Sequence, residues 1–420
     1  MTKYLIPMLL LALSACSSQT LCPSDEVLCG GSCVSVQSDT RNCGACGKVC
    51  STGEGCFAGA CQSCASSGAC QAEVVAACFD TNEVREFNAS LEELGAPIDT
   101  SGSGPIGFAY YGGSLFVADS IGGSVDRLAK GEAASIASIT GSGGFSDLEQ
   151  VGVYGNFLYI SNAAAGTLVA VDPVKGGVAG EVSLAAGGPQ NNPLGFDFAN
   201  EKAYVAVTPT YGAVPYTPSA VAVVDLSISP PWATAPSVKL IDLSSYAAAG
   251  AVPGPANVLA SSNGARVFVT LNDLYASDLT TPVAGAHGLL VVIDTATDAV
   301  VGGAVDLGAS CLDASGMALL GNTLYVGCGY VDFSTGEAVG GAILPVDVSG
   351  SVPVPGAAIS VAHVIGSLAF CGGQGYAGGL DAGALVQFNP STSSVVSTNP
   401  TACPASSTGY AAVFNVACAQ

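Results

Sequence analysis

"EVVAACFDTNEVREFN" (73–88) is the stretch on which the fold turns. Two apolar runs flank the turn-forming text Asp-Thr-Asn, so it reads as two short β-strands. Two strands alone are marginal in water, so the pair needs a sheet to join. Far downstream, "LVVIDTATDAV" (290–300) carries matching text, with Asp80 falling on Asp294.

That downstream text belongs to a repeat. Units cover 105–130, 148–184, 193–227, 255–307, 311–349 and 361–397. Each opens on a short strand, meets a Gly/Asn turn, continues into an aromatic-containing strand such as "LFVAD" or "LYVGC", and adds a strand ending in Asp or Asn. No long stretch has helical period, so the body is all-β. Four antiparallel strands per roughly 45–50 residues are the mark of a β-propeller blade. The units resemble YVTN-type propellers, whose repeats close a strand on Ile-Asp-Thr. They lack the dipeptides of WD40 repeats, and the single Trp232 does not suit the Trp-docked blades of quinoprotein dehydrogenases.

The last unit is short, because "STGYAAVFNVACAQ" (407–420) supplies only inner strands. The opening stretch fills the gap. A seven-bladed propeller results, with 73–88 as the outer two strands of blade seven and 403–418 as the inner two. Such closure removes exposed strand edges. On this reading the propeller covers 73–420, and the chain enters it on the upper face.

Asp172, Asp225, Asp294, Asp347 and Asn389 end strands before polar turns. A row of carboxylates suggests metal, but Asx-turns explain it better, since such side chains bond their own backbone two residues on.

In a blade, the B–C and D–A connections share one face, here called upper, and A–B and C–D share the lower. The long segments 208–219, 272–287, 329–340 and 372–382 read as B–C insertions, and 228–254 as a long D–A connection. They are rich in Tyr, Ser, Thr and Gly, a composition suited to adaptable recognition. Tyr211, Tyr216, Trp232, Tyr275, Tyr330 and Tyr376 are the candidate binding residues. Asp119, Glu149, Asn162, Asn257 and Asp313 fall near the upper tunnel entrance as oxygen donors. His287 and His363 are the only histidines and the candidate general bases. No spacing motif calls for a cofactor; Ca²⁺ is the ion such oxygens would suit. No G-x-S-x-G nucleophile text accompanies the histidines.

Cysteine is concentrated at the N-terminus. Cys22, Cys29, Cys33, Cys43, Cys46, Cys50, Cys56 and Cys61 form a set of eight within 22–64. The text "CGGSCVSVQSDTRNCGACGKVC" resembles the Cys-rich repeat of stigma-specific-protein-like modules. So short a segment needs cross-links to hold it. In the body, Cys311 with Cys328 and Cys403 with Cys418 are expected as within-blade disulfides, Cys371 as a partner for Cys64 or Cys70, and Cys78 as a buried thiol.

The N-terminus, "MTKYLIPMLLLALSAC", has Lys3, a short apolar run and small residues before Cys16. The run is too short to span a bilayer. Leu13-Ser14-Ala15-Cys16 resembles the lipobox of bacterial lipoproteins. The resemblance implies a signal peptide over 1–15, lipidation of Cys16, a tether over 16–21 and an outer-membrane address, since Ser17 follows. Sixteen other cysteines suit that oxidising setting.

The chain's 10 Lys+Arg against 32 Asp+Glu leave a net charge of −22, which argues against nucleic acid and anionic lipid as partners. The reading that follows is a lipid-anchored recognition or scaffold propeller for a protein or glycan, touching membrane only through its lipid. A metal-dependent propeller hydrolase of lactonase-like type is the alternative.

Overall fold

A computed structural model describes residues 72–419, except 130–131, 142–143, 186–190, 209–218, 248–249, 273–275, 277–282, 333–336 and 406–410. Within the N-terminal region it describes 27–29, 32–34, 36, 42–49, 54–57 and 60–63. Residues 72–419 form seven antiparallel sheets, each of four strands with the outermost of blade five in two pieces. A turn of 3-10 helix, Phe79–Thr81, lies between two strands of the last sheet.

Each sheet is built outward from an inner strand. Blade one runs Pro105–Tyr111, Ser114–Asp119, Ser124–Ala129 and Glu132–Ser138. The inner strands of the following blades are Leu148–Tyr154, Asn192–Ala199, Gly254–Ala260, Ala314–Leu320, Ile365–Cys371 and Val413–Cys418. Neighbouring inner strands touch around the whole ring, and Val413–Cys418 meets both Ile365–Cys371 and Pro105–Tyr111. The core lies between blades. Phe268, Leu290 and Val292 of blade four pack on Met317, Leu324 and Val326 of blade five, and equivalent clusters fill the other gaps. Fully burying one such side chain contributes about 2–3 kcal/mol.

Blade seven closes the ring, but with a different split from the one expected. Its order is Val413–Cys418, Val74–Cys78, Glu83–Phe87, Glu93–Asp99. The C-terminus supplies one strand and the N-terminal side three. The strand "ELGAPID" (93–99), mostly exposed at the blade's edge, completes the sheet and shifts 73–88 inward by one position. Asp80 therefore sits in a B–C connection on the upper face, and does not match Asp294. Val74–Cys78 is a second strand and starts at the lower face. Glu73 lies against Gly372 in the lower A–B turn of blade six and accepts a hydrogen bond from Ala419 N–H. The chain enters the propeller from below, not from above.

Asx-turns close the third strands as expected. Ser227 N–H donates to Asp225, Thr297 N–H to Asp294, Ser349 N–H to Asp347, and Val174 N–H to Asp172, all at 2.8–3.0 Å. Asn389 accepts from Ser391 N–H at 2.8 Å.

Disulfides depart from the expected pattern. Cys311 is bonded to Cys328, but Cys403 is bonded to Cys78 and Cys418 to Cys371. Cys403 and Cys418 cannot meet, since Cys403 lies in the upper connection into blade seven and Cys418 ends its inner strand at the lower face. A six-residue strand, roughly 20 Å, separates the two levels. Cys78 is consequently no free thiol, and Cys371 is not available to Cys64 or Cys70. Cys78 and Cys328 occupy the same place in their blades, on the second strand opposite the first residue of the inner strand, and both bond to the connection preceding the blade. In the N-terminal region Cys29 is bonded to Cys46, and Cys43 and Cys61 are also in disulfides. Cys16, Cys22, Cys50, Cys64 and Cys70, and the side chains of Cys33 and Cys56, lie outside the described residues.

Candidate functional site

The upper face is where the blades differ. B–C connections span only 120–123, 163–166, 380–384 and 79–82 in blades one, two, six and seven. In blades three and four they span 209–219 and 273–288. In blade five the two strands run on as a hairpin, with Tyr330 paired to Val339 and Asp332 to Glu337. The long B–C connections thus belong to three adjacent blades.

The six aromatic candidates separate. Tyr211, Tyr216 and Tyr275 lie outside the described residues. Tyr330 stands half-buried on the blade-five hairpin. Trp232 is on the lower face, not the upper. Val238–Asp242 is the fourth strand of blade three, which makes 226–237 a C–D connection. From there the Trp232 ring covers Gly180 on the outer strand of blade two, where a Cβ would come within 2.6 Å, and its Nε1–H donates to Ile228 O at 2.9 Å.

Tyr376 is not in a loop. Ile365–Cys371 is an inner strand and Gly372–Gly373 its lower turn, so Tyr376 falls in the second strand and is 0% exposed. Gln387 Nε2–H donates to its hydroxyl at 3.1 Å. Tyr376→Phe is expected to lower stability by about 1 kcal/mol in urea unfolding and to leave binding unchanged. A residue of the binding face would give the opposite pattern.

The oxygen donors and histidines fall in five blades, and all but Asn162 are engaged by local neighbours. Asp119 ends a second strand, fully buried, and accepts from Ser124 Oγ–H at 2.6 Å and from Gly102 N–H at 3.2 Å. Burial, offset in part by these bonds and aided by Asp126, pushes its carboxyl up to about 6. Asn162, the matching residue of blade two, is buried with both amide atoms unpartnered. Asn257 Oδ1 accepts from Val258 N–H at 2.8 Å. Asp313 accepts from Asn272 Nδ2–H at 3.1 Å, and burial pushes it up to about 7. Glu149 is raised well above its ordinary value by burial, then by the neighbouring Asp147. Among the described residues no three His, Cys, Asp or Glu side chains are placed to hold one metal ion. The set for Ca²⁺ does not converge.

Glu149 occupies a position no sequence reading identified. All seven inner strands carry a β-bulge near their upper end, at Ile106, Glu149, Leu194–Gly195, Ala256, Ser315–Gly316, Gly366 and Phe414. Glu149 is the only ionisable residue among them. An inserted residue leaves no mark on the period-two pattern of so short a strand, so no signal reveals the bulge.

Both histidines face carboxylates. His363 Nδ1 lies 3.1 Å from Asp381 Oδ2, and Asp381 also accepts from Val364 N–H at 2.9 Å. His287 Nδ1 lies 3.1 Å from Asp306 Oδ1, at the foot of the blade-four insertion. That second pair lines an open cleft of about 380 Å³ on the upper face, together with Ser245 and Tyr246 from the connection between blades three and four.

Comparison with known proteins places both parts of the chain. Residues 11–64 match the model of the Stigma-specific STIG1-like protein family, which reaches into the segment read as a leader. The protein is thus an all-β, seven-bladed propeller with a disulfide-bonded, Cys-rich N-terminal region of STIG1-like type. No curated protein matches the sequence. Among solved structures, a Bacteroides fragilis protein described as a "putative 6-phosphogluconolactonase" aligns at a TM-score of 0.59 and 10% identity, covering 84% of this chain and 99% of that one. A protein from Lactobacillus plantarum aligns at 0.57 and 14%, covering 83% and 100%. Hydrazine synthase of Kuenenia stuttgartiensis aligns at 0.51 and 17%, covering 68% and 77%. At these identities the likeness is one of fold.

Proposed function

We propose that the protein is a recognition or scaffold module, held at a bacterial outer membrane by lipid on Cys16 and meeting a protein or glycan partner through its upper face. The observation that carries this reading is the concentration of B–C insertions in blades three, four and five. Rigid scaffolds commonly carry function on such loops. The entry of the chain at Glu73 from below supports it too, because an anchor on that side leaves the insertions facing away from the membrane. The Tyr-rich text of 208–219 remains part of the proposed surface; Trp232 and Tyr376 do not.

The lactonase-like hydrolase reading has the fold of the Bacteroides fragilis protein on its side. Its carboxylates, however, are spread over separate blades, each engaged by its own neighbours.

The test uses the full-length protein in detergent, immobilised and exposed to cell-surface extract. Replacing 273–282, or 209–218, by a short Gly-Ser linker is expected to reduce partner capture at least tenfold while thermal unfolding stays unchanged. Capture that survives both replacements rejects the upper face as the binding surface. Turnover of a lactone by the wild type, lost in Asp313→Asn, would establish the hydrolase instead.

A further inference from the structure

We propose that the upper-face cleft between blades three and four binds a neutral carbohydrate. This rests on the recognition reading above and gives it a ligand chemistry. The cleft's volume, about 380 Å³, lies in the range of small-ligand sites. Its floor is apolar: Tyr246, Leu289 and Ala304 all pack at the margin of the core cluster shared by blades three and four. Its rim is polar, with Ser245, His287 and Asp306.

The polar groups are fixed in place. Asp306 Oδ1 accepts from Gly308 N–H at 2.7 Å and faces His287 Nδ1 at 3.1 Å. Asp306 Oδ2 is 3.4 Å from the same nitrogen, and the side chain is 64% exposed, so its carboxylate offers acceptor capacity to solvent or ligand. Engagement through Nδ1 leaves His287 with Nε2 as a second polar atom. An apolar floor with an aromatic wall below fixed donors and acceptors matches a pyranose, which has one face of C–H groups and a rim of hydroxyls.

Charge narrows the class. Among the described residues no Lys or Arg lines the cleft, and the one carboxylate among them stands beside a histidine. On a chain of net charge −22, a polyanionic glycan would be repelled. The two long connections 209–219 and 273–288 join strands of the blades that border the cleft.

The test is a printed array of neutral and acidic oligosaccharides probed with the full-length protein in detergent, followed by calorimetry on the strongest neutral binder. A Kd on the order of 0.1–1 mM is expected. Tyr246→Ala and Asp306→Asn are each expected to weaken binding at least tenfold. Asp225→Asn, on the lower face, should leave it unchanged. Asp306→Asn alters an exposed side chain, so an unchanged melting temperature separates lost binding from lost fold. No binding to any neutral glycan, binding only to acidic ones, or binding that survives both cleft variants overturns the inference. If partner capture still requires the insertions in that case, recognition stands and only the carbohydrate fails. If capture is independent of them as well, both fail.

Discussion

Replacing Cys78 and Cys403 together by Ser is expected to destabilise the propeller more than any other disulfide removal. Cross-links act largely by restricting the unfolded chain, and more so for longer loops. Cys78–Cys403 spans 325 residues, Cys371–Cys418 spans 47 and Cys311–Cys328 spans 17. The chain-entropy relation gives roughly 6, 4 and 3 kcal/mol for these loops. For a propeller of this size, the first corresponds to a melting-temperature drop of roughly 5–10 °C. The ranking carries the argument. Cys78–Cys403 is the bond that joins the N-terminal three strands of blade seven to the C-terminal segment, across the ring's seam. Calorimetry of the three paired Ser variants, each oxidised, checks it. If Cys311→Ser/Cys328→Ser is the most destabilising, the seam is not where the ring is weakest.

Stability is expected to rise as pH falls from about 8 to 5, against the behaviour of most acidic proteins. Asp119 is raised from 3.8 to about 6 and Asp313 to about 7, in both cases chiefly by burial, and Glu149 is raised well above its ordinary value by burial and then by Asp147. An acid with a raised folded-state pKa binds its proton more tightly when folded. Its contribution is complete below the unfolded value near 4 and is lost as pH rises through the folded one. For Asp119 the loss runs from about pH 4 to about 6, and for Asp313 from about 4 to about 7. At about 1.4 kcal/mol per pKa unit, and allowing for local relaxation, the two together come to on the order of 4 kcal/mol. Below pH 4 the sign reverses. The turn bonds that lower Asp225, Asp294 and Asp347 are lost as those carboxyls take protons. Urea unfolding at intervals from pH 3 to 8 should therefore show a maximum near pH 4–5. Asp119→Asn and Asp313→Asn should each flatten the limb above it and raise stability at pH 8. A flat profile between pH 5 and 8 would remove burial as the dominant influence on these groups.

Much of the fold is legible in the sequence, and the misreadings share a cause. The Gly/Asn-turned strand pairs give seven blades, the strand-final Asp and Asn residues give the Asx-turns, and Cys311 and Cys328 bracket one hairpin. The outer strands are harder to see. Glu93–Asp99, Val238–Asp242 and the two-residue pieces Val354–Pro355 and Ile359–Ser360 stand at blade edges, short or half-exposed, with little alternation. Missing the first moved 73–88 outward by one strand and hid Cys78 as the counterpart of Cys328. Missing the second put Trp232 on the wrong face. Missing the third turned Tyr376 from a core residue into a loop residue. The His287 cleft was invisible for a different reason, since Tyr246, His287 and Asp306 come together only through the pairing of Leu289 with Asp306 and the docking of adjacent blades.

The entry of the chain from below has a mechanical side. A pull applied at Glu73 acts along the axis of Val74–Cys78, which is hydrogen-bonded on both sides, to Val413–Cys418 and to Glu83–Phe87. Those bonds are loaded together in shear rather than opened one at a time. At the far end of the same strand, Cys78 is locked to Cys403. Tension at Glu73 thus meets its covalent stop only after crossing the full height of the blade, and the stop hands the load to Cys403, on the C-terminal side of the ring's seam.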